Sequence, residues 1–163
     1  MSMHPEIHIR RAEVQDAATV SRILHESFAE FEPLYTAGGF AATTPTEEQV
    51  LDRMIEGPVW IAFRHDDALG TVAAIVKGES IYMRGMAVLP SARKLGVAAR
   101  LIETVEQWAA IQGSSRVFLT TTPFLHNAIR LYEKHGFCRV QDGEKDLFGT
   151  PLFTMEKALS RVT

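Results

Sequence analysis

The chain has 163 residues, 46% of them hydrophobic, and a formal charge of −3 from 17 basic and 20 acidic side chains. That length suits a single domain that buries about 70% of its unfolded surface without help from a disulfide or a metal. No basic stripe marks a nucleic-acid binder, no run reaches the roughly 20 apolar residues of a membrane helix, and the single Cys138 suits a reducing, cytoplasmic setting.

The opening MSMHPEIHIRR lacks the apolar core of a secretory signal, and Ile7, Ile9 and the following arginines read as a short strand. From Val14, the residues Ala17, Val20, Leu24, Phe28 and Phe31 recur every three or four positions, which predicts an amphipathic helix ended by Pro33. Residues 35–43 carry two glycines and read as a loop. In Thr44-Pro45-Thr46-Glu47, Thr44 is the expected cap, Pro45 the first helical residue and Glu47 the return partner of a capping box. The helix that follows would present Val50, Leu51, Met54 and Ile55 as its apolar face.

Strands are expected over 59–64, 69–77 and 80–89, joined as hairpins through His65-Asp66-Asp67 and Gly78-Glu79. After Pro90 the period changes, and Val97, Leu101, Val105 and Trp108 share a third helix closed by Gly113. A strand at 116–121 leads to Thr122-Pro123, expected to open a fourth helix with Phe124, Ala128, Leu131 and Tyr132 on one face. Gly136 stops it, and segments 137–147 and 152–159 pair through Gly149-Thr150-Pro151. The expected fold is α/β, a mixed and mostly antiparallel sheet of about seven strands with four helices on both faces. Its parallel part is the strand–helix–strand from 80 to 121.

The segment MAVLPSARKLGVAARL carries the first chemical signal. A strand ends near Val88, Pro90 breaks it, and a basic loop with one glycine feeds a helix of small residues. A helix N-terminus offers unpaired N–H groups and a partial positive charge, which suits a phosphate. Gly96, Ala98 and Ala99 leave room for close approach, and Arg93, Lys94 and Arg100 add charge. Alone, the pattern fits either an anion site or a plain strand-to-helix turn. G-x-G-x-x-G and G-x-x-x-x-G-K-[ST] are both absent, which argues against dinucleotide and P-loop sites.

About one strand further on stands Asn127-Ala128-Ile129-Arg130-Leu131-Tyr132-Glu133-Lys134-His135-Gly136-Phe137. The pair R-x-x-G-x-A and N-A-x-x-L-Y-E-x-x-G-F resembles the two main motifs of the GNAT acyltransferases, and nearly the whole chain matches that family's element order. The resemblance implies an acetyl-CoA-dependent N-acetyltransferase that needs no metal and acts directly on a primary amine of a small molecule or protein. It implies a splayed central parallel pair whose first strand, at Met86, Ala87 and Val88, pairs with the pantetheine arm. The amides of Arg93, Lys94, Leu95, Gly96, Val97, Ala98 and Ala99 would hold the pyrophosphate, Asn127 would bond the arm, and Tyr132 would stand beside the sulfur. Lys94 and Ala98 occupy positions where many members have glycine. A homodimer is common in the family.

Acetyl transfer to nitrogen needs a neutral amine, a donor for the oxyanion and a proton for the departing thiolate. The resemblance gives the second task to the Val88 N–H and the third to Tyr132, whose phenol, with a pKa of about 10, is protonated at neutral pH. No base is assigned. Glu79, Tyr82 and Arg84 lie on or beside the fourth strand, Glu30 and Glu32 end the first helix, and His126 precedes Asn127; a water chain could equally take the proton. Arg84, on a central strand, needs a carboxylate partner. Glu79 or Glu30 is the expected one, with an acidic group on the acceptor as the alternative. Tyr35 and Phe40 could cap the acceptor or pack on the domain. Cys138 has no paired base, and His4 and His8 have no metal-ligand spacing around them. The competing reading is an inactive acyl-CoA-binding regulatory or interaction module, against which Asn127 and Tyr132 speak.

Overall fold

A computed structural model describes residues 6–160. Seven strands, β1 (Ile7–Arg11), β2 (Val59–Arg64), β3 (Asp67–Lys77), β4 (Ser80–Val88), β5 (Arg116–Thr121), β6 (Cys138–Leu147) and β7 (Thr150–Ala158), form one sheet. Their spatial order is β1-β2-β3-β4-β5-β7-β6. Every neighbouring pair is antiparallel except β4 and β5. The helices are α1 (Ala17–Phe28), α2 (Ala37–Thr43), α3 (Glu47–Glu56), α4 (Val97–Ile111) and α5 (His126–Lys134). The mixed, mostly antiparallel sheet read from the sequence is the sheet observed, with five helices in place of four.

Each face of the sheet has its own core, because the apolar stripes of the helices fall on opposite sides. On one face α1 buries Ala17, Val20, Ile23 and Leu24, and α3 buries Val50, against Ile61 and Ala73. On the other, α4 sets Leu101, Ile102 and Val105 against Val72, Ile81 and Val117, and α5 adds Tyr132. Trp60 and Trp108 meet edge to face at 5.8 Å in this second core.

Several boundaries depart from the sequence reading. The first helical stretch is broken: Val14 and Phe31 lie in 3-10 turns on either side of α1, and Pro33 sits inside the second of these. The expected loop 35–43 contains α2, although AGGFAAT has poor helical propensity. Tertiary contact overrides it. The Thr36 hydroxyl accepts the Gly39 N–H at 3.0 Å and donates to the Phe148 carbonyl at 2.8 Å, while the Thr36 N–H donates to the Thr150 hydroxyl at 3.0 Å. A Cβ at Gly39 would collide with that same Thr150 hydroxyl, so the helix docks on the β6–β7 turn only with glycine there.

Thr44 does not start α3. Its hydroxyl donates to the Phe40 carbonyl at 2.7 Å and closes α2. Thr46 is the cap of α3, exchanging bonds with Gln49 in a capping box two residues later than expected. Ile55 is 85% exposed rather than on the apolar face. Thr46→Ala should therefore cost about 1 kcal/mol of stability, whereas Thr44→Val should leave the α3 cap intact; urea unfolding of the two variants measures the difference. At the far end, α5 begins at His126, after a turn closed by the Leu125 N–H on the Thr122 carbonyl, and not at Pro123. The β6–β7 hairpin turns at Phe148-Gly149, both with positive φ, so Thr150 and Pro151 belong to β7.

Candidate active site

The site is built where the parallel pair comes apart. β4 and β5 share a ladder only from Ser80 to Tyr82 against Arg116 to Phe118. Just beyond, the register of β4 on β3 jumps from Arg84↔Ala73 to Ala87↔Thr71, with Gly85 at φ 59°. A bulge of this kind bends its strand, and here it carries β4 away from β5. The β5-facing backbone groups of residues 83–88 consequently have no ladder partner. A cleft of about 330 Å³ opens in the gap, with Met83 and Met86 of β4, Leu119 of β5 and Tyr132 of α5 among its walls.

β4 ends at Val88 and leads through a 3-10 turn, Pro90–Ala92, to α4. Between them both Lys94 (φ 74°) and Gly96 (φ 79°) take the left-handed conformation, and Gly96 is the N-cap. The N–H groups of Val97, Ala98 and Ala99, in the first helical turn, have no intrahelical acceptor. A Cβ at Gly96 would meet nothing within 4 Å, so the cap itself is uncrowded. The basic side chains are less free than their number suggests. Arg93 pairs with Glu30 at 2.5 Å and donates to the Ser27 carbonyl at 3.3 Å, and Arg100 donates to the Ile7 carbonyl at 3.1 Å. Lys94 has no acidic partner among the described residues. With Leu95 packing beneath, the loop can hold an anion through its amides. The left-handed φ also explains why glycine suits position 94. Lys94→Gly should relieve that conformation and raise stability by up to about 1 kcal/mol, read as a higher melting temperature.

Tyr132 is 7% exposed and touches Phe137 edge to face at 5.9 Å. Burial, with a smaller contribution from Tyr35, pushes its phenol well above the ordinary tyrosine range. Its hydroxyl makes no hydrogen bond among the described residues. Asn127 and His126 open α5 and are exposed, outside the cleft wall.

Of the residues expected near an acceptor, three line the cleft. Tyr82 stacks on Phe118 at 5.1 Å with its hydroxyl 3.1 Å from that of Thr120. Tyr35 sits edge-on to Phe124 at 4.9 Å, its phenol raised by burial. Arg84 also lines it, but its partner is neither Glu79 nor Glu30: Glu56, at the end of α3, accepts from its terminal nitrogen at 3.1 Å. Glu30 is drawn to Arg93 instead. One cleft residue escaped the sequence reading. Arg53 of α3 reaches the same wall and donates to the Ala42 carbonyl at 3.2 Å; burial and then the Arg84 charge lower its pKa. Its place three residues after Val50, the buried residue of α3, was the available signal. Arg84 Nε is buried without a partner among the described residues, an arrangement that costs about 1–3 kcal/mol. Among the described residues no group of His, Cys, Asp and Glu could hold a metal ion, and no helix is long and apolar enough to cross a membrane.

Known proteins resemble this chain in sequence and fold. The profile of the Acetyltransferase (GNAT) family matches residues 21–137, from within α1 to the end of the second motif. The uncharacterized N-acetyltransferase YjgM of Escherichia coli (strain K12) is 29% identical over 136 residues, covering 79% of this chain and 80% of its own. Among solved structures, PaiA N-acetyltransferase from Thermoplasma acidophilum, in complex with coenzyme A, superposes with a TM-score of 0.79 at 17% identity, covering 94% of this chain and 99% of its own. The ribosomal-protein-S18-alanine N-acetyltransferase of Escherichia coli gives a TM-score of 0.76 at 15% identity, covering 97% of each chain. At those identities the structures speak for the fold, while the profile spans well over half of the chain and both of its motifs. On that ground the chain belongs to the acetyltransferase (GNAT) family and is an acyltransferase.

Proposed function

We propose that the protein moves an acetyl group from acetyl-CoA directly to a primary amine of a small molecule or protein. One juxtaposition carries the reading: the unladdered edge of β4, the amide loop opening α4, and Tyr132 between β4 and β5. These residues fit the donor. Free strand amides at Met86 and Val88 suit an extended pantetheine arm, and the loop from Arg93 to Ala99 suits a pyrophosphate. Asn127, in the first turn of α5, is available to the arm. The coenzyme A held by the Thermoplasma acidophilum protein of like fold supports the assignment.

When bound, acetyl-CoA supplies a thioester carbonyl open to attack by an amine. The Val88 N–H donates to the carbonyl oxygen as charge gathers there. Tyr132 gives its phenolic proton to the sulfur while the C–N bond forms and the C–S bond breaks. The surplus proton of the amine passes to water, and the phenolate is reprotonated from solvent. Cys138 is exposed on β6 and outside the cleft, which favours transfer without an acyl-enzyme. Its free thiol also suits a reducing, cytoplasmic setting.

The test is thiol release by the full chain with acetyl-CoA and a panel of amines and peptides. Release that depends on the amine, with intersecting double-reciprocal lines, is the expected result. Parallel lines would indicate an acyl-enzyme and overturn the direct route. Acetyl-CoA binding with no thiol release for any amine would leave a binding module.

A further inference from the structure

We infer that the acceptor amine carries an anionic group, a carboxylate or a phosphate monoester, held by Arg53 and Arg84 in the cleft beside Tyr132. The inference rests on the transferase reading above and narrows its substrate. The cleft wall contains two charged side chains, both guanidinium groups, and no Asp or Glu. An amine arriving as its ammonium ion would meet two guanidinium groups in a half-buried space, with Glu56 pairing only one nitrogen of Arg84 from outside the wall. A simple alkylamine or a polyamine is therefore repelled, and an anion on the same molecule reverses the sign of the encounter.

The internal carboxylate does not exhaust the pair. Glu56 is half-exposed, lies outside the cleft wall and reaches one terminal nitrogen of Arg84. Arg84 is 20% exposed, and its Nε is buried with no acceptor. Arg53 donates to a neutral carbonyl, that of Ala42. Guanidinium forks bind carboxylate and phosphate oxygens through paired N–H donors, so an acceptor anion would take up what these two residues leave unused.

Nor are the two arginines placed for the phosphates of the donor. Along β4, Ile81 and Met83 enter the core under α4, so Tyr82 and Arg84 alternate onto the face covered by α1 and α3. Arg53 comes from α3 on that same face. The anion loop opens α4 on the opposite one. The rest of the wall mixes threonines with apolar and aromatic residues, among them Phe28, Tyr35, Leu125 and Leu152, which suits an acceptor with an apolar or aromatic body.

Matched acceptors test this with the full chain and acetyl-CoA: L-phenylalanine against 2-phenylethylamine, and O-phosphoethanolamine against ethanolamine. At least one anionic member should show kcat/KM about 10–100-fold above its neutral partner, the range expected for hydrogen bonds to a charged group. The pair with the larger ratio identifies the anion. Arg84→Met and Arg53→Met should each collapse that ratio toward one, through the acceptor KM rather than the KM for acetyl-CoA, and Arg84→Lys should restore part of it. Neutral amines used as well as their anionic partners would overturn the inference and leave the transferase reading standing. A collapse that falls on the acetyl-CoA KM would overturn it too. If no amine turns over, calorimetric titration of L-phenylalanine and O-phosphoethanolamine into the protein with coenzyme A decides separately. Saturable binding lost in Arg84→Met upholds the anion site while the transferase reading falls, and no binding removes both.

Discussion

Tyr132→Phe is expected to lower kcat by roughly 10²–10⁴-fold, the range for losing a positioned general acid, with the affinity for acetyl-CoA little changed. The argument rests on what the hydroxyl does not do in the fold. It makes no hydrogen bond among the described residues, so its removal leaves no orphaned partner and the melting temperature should hold. The ring stays buried against Phe137 and keeps its packing. A loss of turnover at constant stability would therefore report on the proton alone. Burial raises the phenol above its ordinary value, so the group is a donor, not a base, throughout the neutral range. The sign follows for stability as well. The neutral phenol is favoured in the folded state, so this contribution is complete below the unfolded pKa of about 10 and is lost as pH rises through the higher folded value. Turnover of the wild type should show no tyrosine limb below about pH 10. An alkaline limb lower than that, abolished in Tyr132→Phe, would contradict the burial argument. Unchanged turnover in the variant would assign the proton to water.

The loop geometry proposed for the donor was legible from the sequence because it is local. A strand end, Gly96 and a run of small residues specify an amide cradle within eleven residues of chain, from Val88 to Ala98, and Asn127 and Tyr132 complete a pattern that survives one strand away. The sheet was legible for a related reason: period-two strands joined by two-residue turns leave little choice of neighbour. The acceptor half is assembled from α1, α2, α3 and the β6–β7 hairpin, which meet only in three dimensions. Helix α2 is held by contacts between Thr36 and Thr150, more than a hundred residues apart, so no local signal in AGGFAAT could announce it. The need of Arg84 for a carboxylate was readable from its strand position; the identity of Glu56 was not, because it depends on how the last turn of α3 lies across β4. Arg53 carried only the signal of its spacing from Val50, which did not single it out, because a solvated side chain is the ordinary outcome for a charged residue of a short amphipathic helix.

That division explains why the cofactor loop offers the sharper mutational test. Gly96→Val is expected to raise the dissociation constant for acetyl-CoA by about 10–100-fold, the equivalent of losing hydrogen bonds to a charged group. Two effects must be separated. Gly96 sits at φ 79°, and a β-branched residue held there costs about 1–2 kcal/mol in the free protein. Beyond that strain, no neighbouring atom lies within 4 Å of the new Cβ. Under the proposed function, the pyrophosphate would sit at the amides of Val97, Ala98 and Ala99, next to this position. Valine therefore burdens folding through its backbone and binding through its side chain. Gly78→Val isolates the first effect. Gly78 lies in the β3–β4 turn at φ 60°, also with nothing within 4 Å of a Cβ, and far in sequence from the loop. Both variants should lose similar stability, and only Gly96→Val should lose acetyl-CoA affinity by titration calorimetry. Equal affinity in the two would show that the phosphates are held elsewhere than over α4. The strength of the paired design is that strain, the property common to both glycines, cancels, so that any difference left must come from what occupies the space above residue 96.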